Sequence, residues 1–437
     1  MLTTSDQFLS DALTSFEARI STHNLNSVQT LLVHPYNLKT TWRAQIENLA
    51  LTAVFLLSHQ QGNLTILGFV TDKFTDIDTR ANNPRQYFYA CAIKYDVPVF
   101  NLTAPVPLNT VCVPKPWGQE IWYSGMEERG ESGVSSNDLN MQDHSAVAPL
   151  SWYLSMAGDF THKSLQPMLL KILDPSPEPI KGDLYFELHE QKHEVYVVTH
   201  IDTEAWPSGI GGIRLGMNPE VRSKYADDDS FRDDYLNAIK AYKKIRDQID
   251  SKPASSQQLS DKESQARSRM ESFTATRPLR LGDAIVITPN TPHSLLHGVR
   301  VVEFQTPVYE RQIISFAQKV LTQPNWDSEI AVQKMNLDVP KPPNFKIVEN
   351  NPGILVEEIA RFEEFRMWRI ELEAGCRAKL NQDIPYAICI GISGSLLANE
   401  LELGAEQACF IPGSVLHKHI YNNTDELCSC LVAAPDL

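Results

Sequence analysis

The chain of 437 residues contains no run of about 18 apolar residues, so a membrane-spanning helix is not expected. Clustered cationic residues are missing as well. A formal net charge of −15 argues against a nucleic-acid groove or an anionic membrane surface as partner, and any anionic ligand must then meet a local basic pocket. Residues 1–30 lack the basic start and continuous apolar core of a secretory leader, and a cytoplasmic protein is expected. Cysteine is sparse, an odd seven (Cys91, Cys112, Cys376, Cys389, Cys409, Cys428, Cys430), with no pair of Cys-x-x-Cys units. That excludes a zinc ribbon, and the seven read as reduced core thiols.

The length exceeds one compact core and predicts two or three domains. Phe8, Leu9, Leu13, Phe16 and Ile20 fall at helical spacing between Ser5 and Ser21, and Trp42 to Leu57 reads as a second, mostly buried helix. With strands predicted over Leu64 to Val70 and Gln86 to Ile93, residues 1–107 form an N-terminal α/β domain of no evident chemistry. An aromatic strand from Trp117 to Tyr123 opens a central β-domain over 108–340. Within it Tyr235, Leu236, Ile239, Tyr242, Ile245 and Ile249 mark an amphipathic helix, and Ser251 to Ser272 reads as a solvated linker or frayed helix. A helical insertion at about 226–275 follows. Past Pro340-Lys341-Pro342-Pro343 short strands resume as a smaller β-domain over 345–437. There Gly404 to Pro412, then His417, loosely repeats Gly282 to His293 and points to an internal duplication. Ala374 to Tyr386 offers no histidine, so that copy is expected to be metal-free, with His417 and His419 at the surface.

The chemistry concentrates in two stretches. Glu187 and His189 are two apart on an alternating strand and share a face. Glu194 starts the next apolar run, and a tight connection over Glu190 to His193 returns it beside His189. His293 ends the turn after the strand that Gly282-Asp283 initiates, closing a set of Glu187, His189, Glu194 and His293. Two imidazoles with carboxylates and no thiolate suit zinc, iron(II) or manganese, with a position left for water or substrate. His193 faces away, and His297 reads as a turn residue. On the strand Val299 to Gln305, Glu303 shares a face with valines, a costly place for a carboxylate without a role, and it is the candidate general base. Lys171, Lys192 and Arg311 are the cations nearest in sequence for an anionic ligand.

These residues resemble the type I mannose-6-phosphate isomerases, a family of cupins. Lys115-Pro116-Trp117-Gly118-Gln119-Glu120 is similar to the family's Lys-Pro-Trp-Gly-x-Glu opening, and Leu169 to Asp174 to the strand before its metal site. Glu187-Leu188-His189 stands where the family has Gln-x-His, Lys192 to Tyr196 resembles Lys-Thr-Glu-x-Trp-Tyr, and His293 matches the Thr-Pro-His ligand. The resemblance spans roughly Val111 to Gln318 and, more vaguely, the C-terminal β-domain. It implies a mainly β fold of jelly-roll cupin barrels, a bicupin with a helical insertion, besides the N-terminal α/β domain. It also implies a divalent metal, most simply zinc. Three departures mark a divergent member: Glu187 for Gln, a loop of only a few residues between His189 and Glu194, and a Glu303-Phe304-Gln305-Thr306 run closer to cupin domains linked to mannose-1-phosphate guanylyltransferases.

The expected activity is aldose-ketose isomerisation of a phosphorylated sugar through an enediol. Glu303 moves the proton, while Lys171, Lys192 and Arg311 hold the phosphate or the enediolate oxygen. A non-catalytic sugar-binding or regulatory cupin and an iron-dependent oxygenase are the rival readings. The expected partner is the phosphosugar, with a homodimer possible.

Overall fold

The structure, a computed structural model, describes residues 6–23, 27–40, 48–73, 76–141, 143–158, 167–251 and 257–436. They form two compact units, one from 1–111, 122–168 and 345–437, the other from 112–121 and 169–344. Antiparallel sheets dominate both. Among the described residues no helix is long and apolar enough to cross a membrane.

The N-terminal part carries the expected first helix, Asp6–His23, and a four-stranded antiparallel sheet of Ser27–Lys39, Asn48–Gln60, Asn63–Thr71 and Phe100–Asn101. Two sequence expectations fail here. The helix over Trp42 to Leu57 is, from Asn48 on, a strand; residues 41–47 lie outside the described residues. It is held between two neighbours with Leu51 and Ala53 to Leu57 at most 2% exposed, and a strand covered on both faces reads as a continuous apolar run. Conversely, Gln86 to Ile93 is helical, within Pro84–Tyr95. The Asn83 side chain caps Gln86 N, Pro84 pre-sets the first turn, and Phe88, Cys91 and Ala92 turn one face inward.

The barrel of the second unit has ten strands that we number β1 Val111–Lys115, β2 Gly118–Trp122, β3 Leu169–Pro175, β4 Phe186–Leu188, β5 Glu194–Ile201, β6 Gly211–Met217, β7 Thr274–Leu279, β8 Ala284–Ile287, β9 His293–Leu295 and β10 Val299–Gln305, besides a further strand at Gln312–Ser315. One sheet runs β8-β5-β10-β3-β2-β1, the other β7-β6-β9-β4, with the further strand Gln312–Ser315 paired to the outer edge of β4. Ten further strands belong to the first unit: β11 Lys346–Asn351, β12 Ile354–Arg361, β13 Phe365–Leu372, β14 Arg377–Lys379, β15 Tyr386–Ser393, β16 Leu396–Ala398, β17 Leu401–Leu403, β18 Ala408–Pro412, β19 His419–Tyr421 and β20 Cys428–Pro435. Their orders are β18-β15-β20-β13-β12-β11 and β17-β16-β19-β14. Each strand of the second set occupies the place of the strand ten numbers lower. The jelly roll is present twice, so the fold is a bicupin with a second copy of one topology.

In the second copy the first sheet does not stop at β18. Val106–Asn109 pairs with it (Phe410 opposite Val106), and Gly133–Ser135 and Val147–Pro149 continue outward. Val356, Ile370, Cys389, Cys409, Cys430 and Val432 fill that barrel. The expectation of core thiols holds for five of the seven; Cys112 is exposed and Cys376 half-buried.

Between β6 and β7 lies the helix Asp228–Asp250, capped by Asp227 and burying Phe231, Tyr235, Ala238, Ile239 and Tyr242. The stretch read as a solvated linker or frayed helix is a helix, Gln257–Glu271, with 252–256 outside the described residues. Its polar composition left the two alternatives open. Beyond Met270, its inward contact is the nearly buried Glu263, which accepts a hydrogen bond from Tyr242 and lies 3.4 Å from Arg267.

Gly118, in the Trp-Gly turn that opens β2, has φ +150°, and a Cβ there would sit 2.3 Å from the Asp174 carbonyl oxygen. Gly118→Ala is expected to cost roughly 1–3 kcal/mol. A denaturant midpoint equal to that of the parent protein would refute the assignment of this glycine to backbone geometry.

Candidate metal centre

Inside the first barrel the inward rows of β10 and β5 grade from apolar to polar. Val299 and Val301 give way to Glu303 and Gln305 along β10, and on β5 Val198 gives way to Tyr196 and Glu194; all are at most 3% exposed. Register aligns these residues across the sheet. Glu303 lies opposite Lys171 on β3 and opposite Tyr196 on β5, and Gln305 opposite Glu194. From the other sheet β4 and β9 pair Glu187 directly with His293. His189 follows β4 by one residue. Three strand ends, those of β4, β5 and β9, thus deliver four candidate ligands to one place.

The distances bear this out. Glu187, His189 and His293 each offer a ligand atom within 4.8 Å of the others. Glu194 Oε1 is 3.3 Å from His189 Nε2, and its Oε2 is 3.2 Å from His293 Nε2. Each histidine is tied through its other nitrogen. His189 Nδ1 donates to the Glu310 carbonyl at 2.8 Å and His293 Nδ1 to the Thr291 carbonyl at 2.9 Å. A carbonyl can only accept, so Nδ1 carries a proton in each ring and Nε2 is the atom turned inward, free to offer its lone pair once it is deprotonated. Both Nε2 atoms and Glu187 Oε2 are buried with no hydrogen-bond partner. Convergent unsatisfied donors of this kind are what a divalent metal would satisfy, and the residues fit one. Glu187 is the most open of the four, with 17% of its side chain exposed against 2% for the others, so access lies on its side.

Electrostatics divides the two imidazoles. Burial, reinforced by the Lys192 cation, holds His189 well below its usual value. For His293 burial acts in the same sense, but contact with Glu194 outweighs it and raises the pKa. The carboxylate is asymmetric. Its Oε1 also takes the Lys192 ammonium at 2.8 Å, which competes with His189, whereas Oε2 accepts from Tyr196 Oη at 3.0 Å. Burial would raise Glu194, yet Lys192 and both histidines keep it well below the carboxylate range. A proton on His293 must therefore leave before metal enters. The metal-free protein is expected to release acid on loading, with affinity rising as pH is raised through that elevated pKa and levelling above it. Calorimetric titration in buffers of different ionisation heat checks this; pH-independent uptake without proton release contradicts it.

The other predicted residues separate. Lys171 Nζ is 3.3 Å from Glu303 Oε2 and 3.9 Å from Glu120 Oε2. Burial disfavours the ammonium, but the carboxylates of Glu120 and Glu303 more than offset it and raise its pKa. Glu303, fully buried, is pushed well above the carboxylate range by burial, with Lys171 pulling back only in part. Arg311 is placed elsewhere: its guanidinium covers the Tyr185 ring at 4.6 Å and bonds Thr322. His297 bonds Asp183 at 2.7 Å and stacks on Trp206, and the His193 amide donates to Thr306.

Three participants escaped the sequence reading. Glu120 stands in the Lys-Pro-Trp-Gly stretch itself, 3.1 Å from Lys115. Tyr196 shares a face with Glu194 by simple alternation, a signal that was there to use. Glu310 holds His189 through its carbonyl, and its Oε1 accepts the Glu190 and Gln191 amides at 2.5 and 2.9 Å, fixing the short loop. That link joins positions 120 residues apart, and no local pattern announces it.

No protein-family model and no curated protein matches the sequence. Solved structures do match the fold. A mannose 6-phosphate isomerase from Bacillus subtilis aligns with TM-score 0.53 at 15% identity, covering 76% of this chain and 99% of the other. A variant of phosphomannose isomerase from Salmonella typhimurium gives 0.53 at 13%, covering 76% and 100%. A zinc-bound mannose 6-phosphate isomerase gives 0.54 at 12%, with the same shares. The chain has the fold of these isomerases, as the sequence motifs implied.

Proposed function

We propose that this protein is a metal-dependent aldose-ketose isomerase of a phosphorylated sugar, similar to mannose-6-phosphate isomerase. The observation that carries the reading is the pairing, in one barrel mouth, of unsatisfied atoms on His189, His293 and Glu187, with Glu194 beside both imidazoles, and a separate buried carboxylate whose pKa is raised. His189, His293, Glu194 and Glu187 would hold the metal, most simply zinc. When bound, the metal would supply Lewis-acid polarisation of the substrate carbonyl and neighbouring hydroxyl.

The remaining steps fall to the chain itself. Glu303, its pKa raised by burial, takes the proton from the carbon beside the carbonyl and returns it to the neighbouring carbon through an enediol. Lys171 positions that carboxylate and lends positive charge to the developing oxyanion. Lys192 neutralises Glu194 and faces the same space. Arg311 is proposed for the phosphate only with a rotation away from Tyr185 and Thr322.

The experiment is proton exchange by NMR. Metal-quantified protein is incubated in D₂O with mannose 6-phosphate, fructose 6-phosphate and other phosphosugars. Deuterium beside a carbonyl with aldose-ketose interconversion supports the proposal. Stoichiometric metal with no exchange on any sugar defeats it.

A further inference from the structure

The second barrel keeps the place of the metal centre and replaces its chemistry. His419 opens β19 as His293 opens β9, and lies opposite Lys379 on β14 as His293 lies opposite Glu187 on β4. Its Nδ1 even donates to the carbonyl two residues back, His417, at 2.7 Å, as His293 Nδ1 does to Thr291. It is therefore His419, not His417, that repeats the ligand position. Two residues past Lys379, Asn381 stands where His189 stands after Glu187. On β13, β20 and β15 the transverse row Trp368, Val432 and Cys389 runs across the strands that carry Lys171, Glu303 and Tyr196 in the first barrel. None of these three is a carboxylate, and the one carboxylate that lines this end is Glu358 on β12, opposite Trp368.

What remains at that end is a cavity of about 260 Å³, walled by Ile370, Ile384, Val432 and Trp368, with Lys379 and Asn381 at its rim. A cavity of roughly 150 Å³ already holds benzene, so this one takes a ring carrying a further group. Its charges are unevenly satisfied. Arg366, 5.8 Å from the Trp368 ring, is 2.6 Å from Asp436, whereas Lys346 and Glu358, opposite one another in the register of β11 and β12, both line the cavity with no ion pair among the described residues. Among the described residues no ion pair reaches Lys379. Few polar groups are available for a ring of hydroxyls. The walls therefore select an apolar body, and the free ammonium selects a negative group.

We propose that the mouth of the second barrel is a binding site for a small organic anion with an apolar body, an aromatic or branched carboxylate seated against Trp368 with its charge on Lys379. This site is independent of the isomerase reading.

The probes are 2-naphthoate and its neutral counterpart 2-naphthylmethanol, titrated calorimetrically into the full-length protein. Saturable binding of one 2-naphthoate per chain is expected. Lys379→Gln should weaken it about tenfold and leave 2-naphthylmethanol unchanged. Trp368→Leu should weaken both probes, while His293→Ala, which disables only the first barrel, should leave both in place. Lys379 is exposed, so its replacement tests the proposal even if Trp368→Leu folds poorly. Absence of saturable binding, equal affinity in Lys379→Gln, loss of binding in His293→Ala, or displacement of naphthoate by mannose 6-phosphate would each overturn it.

Discussion

Replacing His189 by alanine is expected to remove bound metal and turnover together. The imidazole is 2% exposed, its Nδ1 is fixed by the Glu310 carbonyl, and its Nε2 has no hydrogen-bond partner in the protein. Loss of an outer hydrogen-bond partner of a ligand already costs roughly 10- to 100-fold in metal affinity; loss of the ligand itself should exceed that. The Lys192 ammonium, 2.8 Å from Glu194, would then neutralise the remaining carboxylate and oppose rebinding. Metal per chain after dialysis, measured beside isomerase activity, decides the matter. A variant retaining one equivalent of metal would show that the ligand set is wrong.

Glu303→Gln should dissect the site in the opposite way. The amide keeps the shape of the side chain and lies outside the ligand set, so metal content should be unchanged. Without an ionisable carboxyl, proton transfer loses a factor of about 10²–10⁴. Lys171 keeps Glu120 as a counter-charge 3.9 Å away, which protects the fold from an unpaired buried ammonium. Deuterium exchange into substrate should fall with turnover, since both use one proton transfer. Normal exchange by the variant would remove Glu303 from the mechanism.

Much of this site could be read from the chain because its residues come in short strands whose alternation fixes their face. Glu187 and His189, and the inward row Val299, Val301, Glu303 and Gln305, follow from a period of two. Contacts that depend on a return of the chain from far away were not legible. Glu310 holding His189 is one, and Arg311 turning onto Tyr185 is another. In the fold the errors have a common cause. Ala53 to Leu57 is an unbroken apolar run because a central strand is buried on both faces, while Gln257–Glu271 is mostly polar, with Glu263 and Met270 as its buried residues. Neither shows the periodicity of its own structure. The likeness of the two barrels lay mainly in strand order, which composition does not record, and the loose repeat misplaced the returning histidine by two residues.

The pairing of Val106–Asn109 with β18 sets where this chain can be divided. A fragment starting at the proline-rich segment near residue 340 would contain all ten strands of the second barrel yet leave the amides and carbonyls of Ala408–Pro412 without their outer neighbour. Such a bared edge is a template for another molecule's strand, so the isolated fragment would tend to self-associate through β18. Appending a segment that includes residues 106–109 would close that edge. The stretch ahead of the first barrel serves as a guard against intermolecular sheet growth, a task for which its sequence carries no motif.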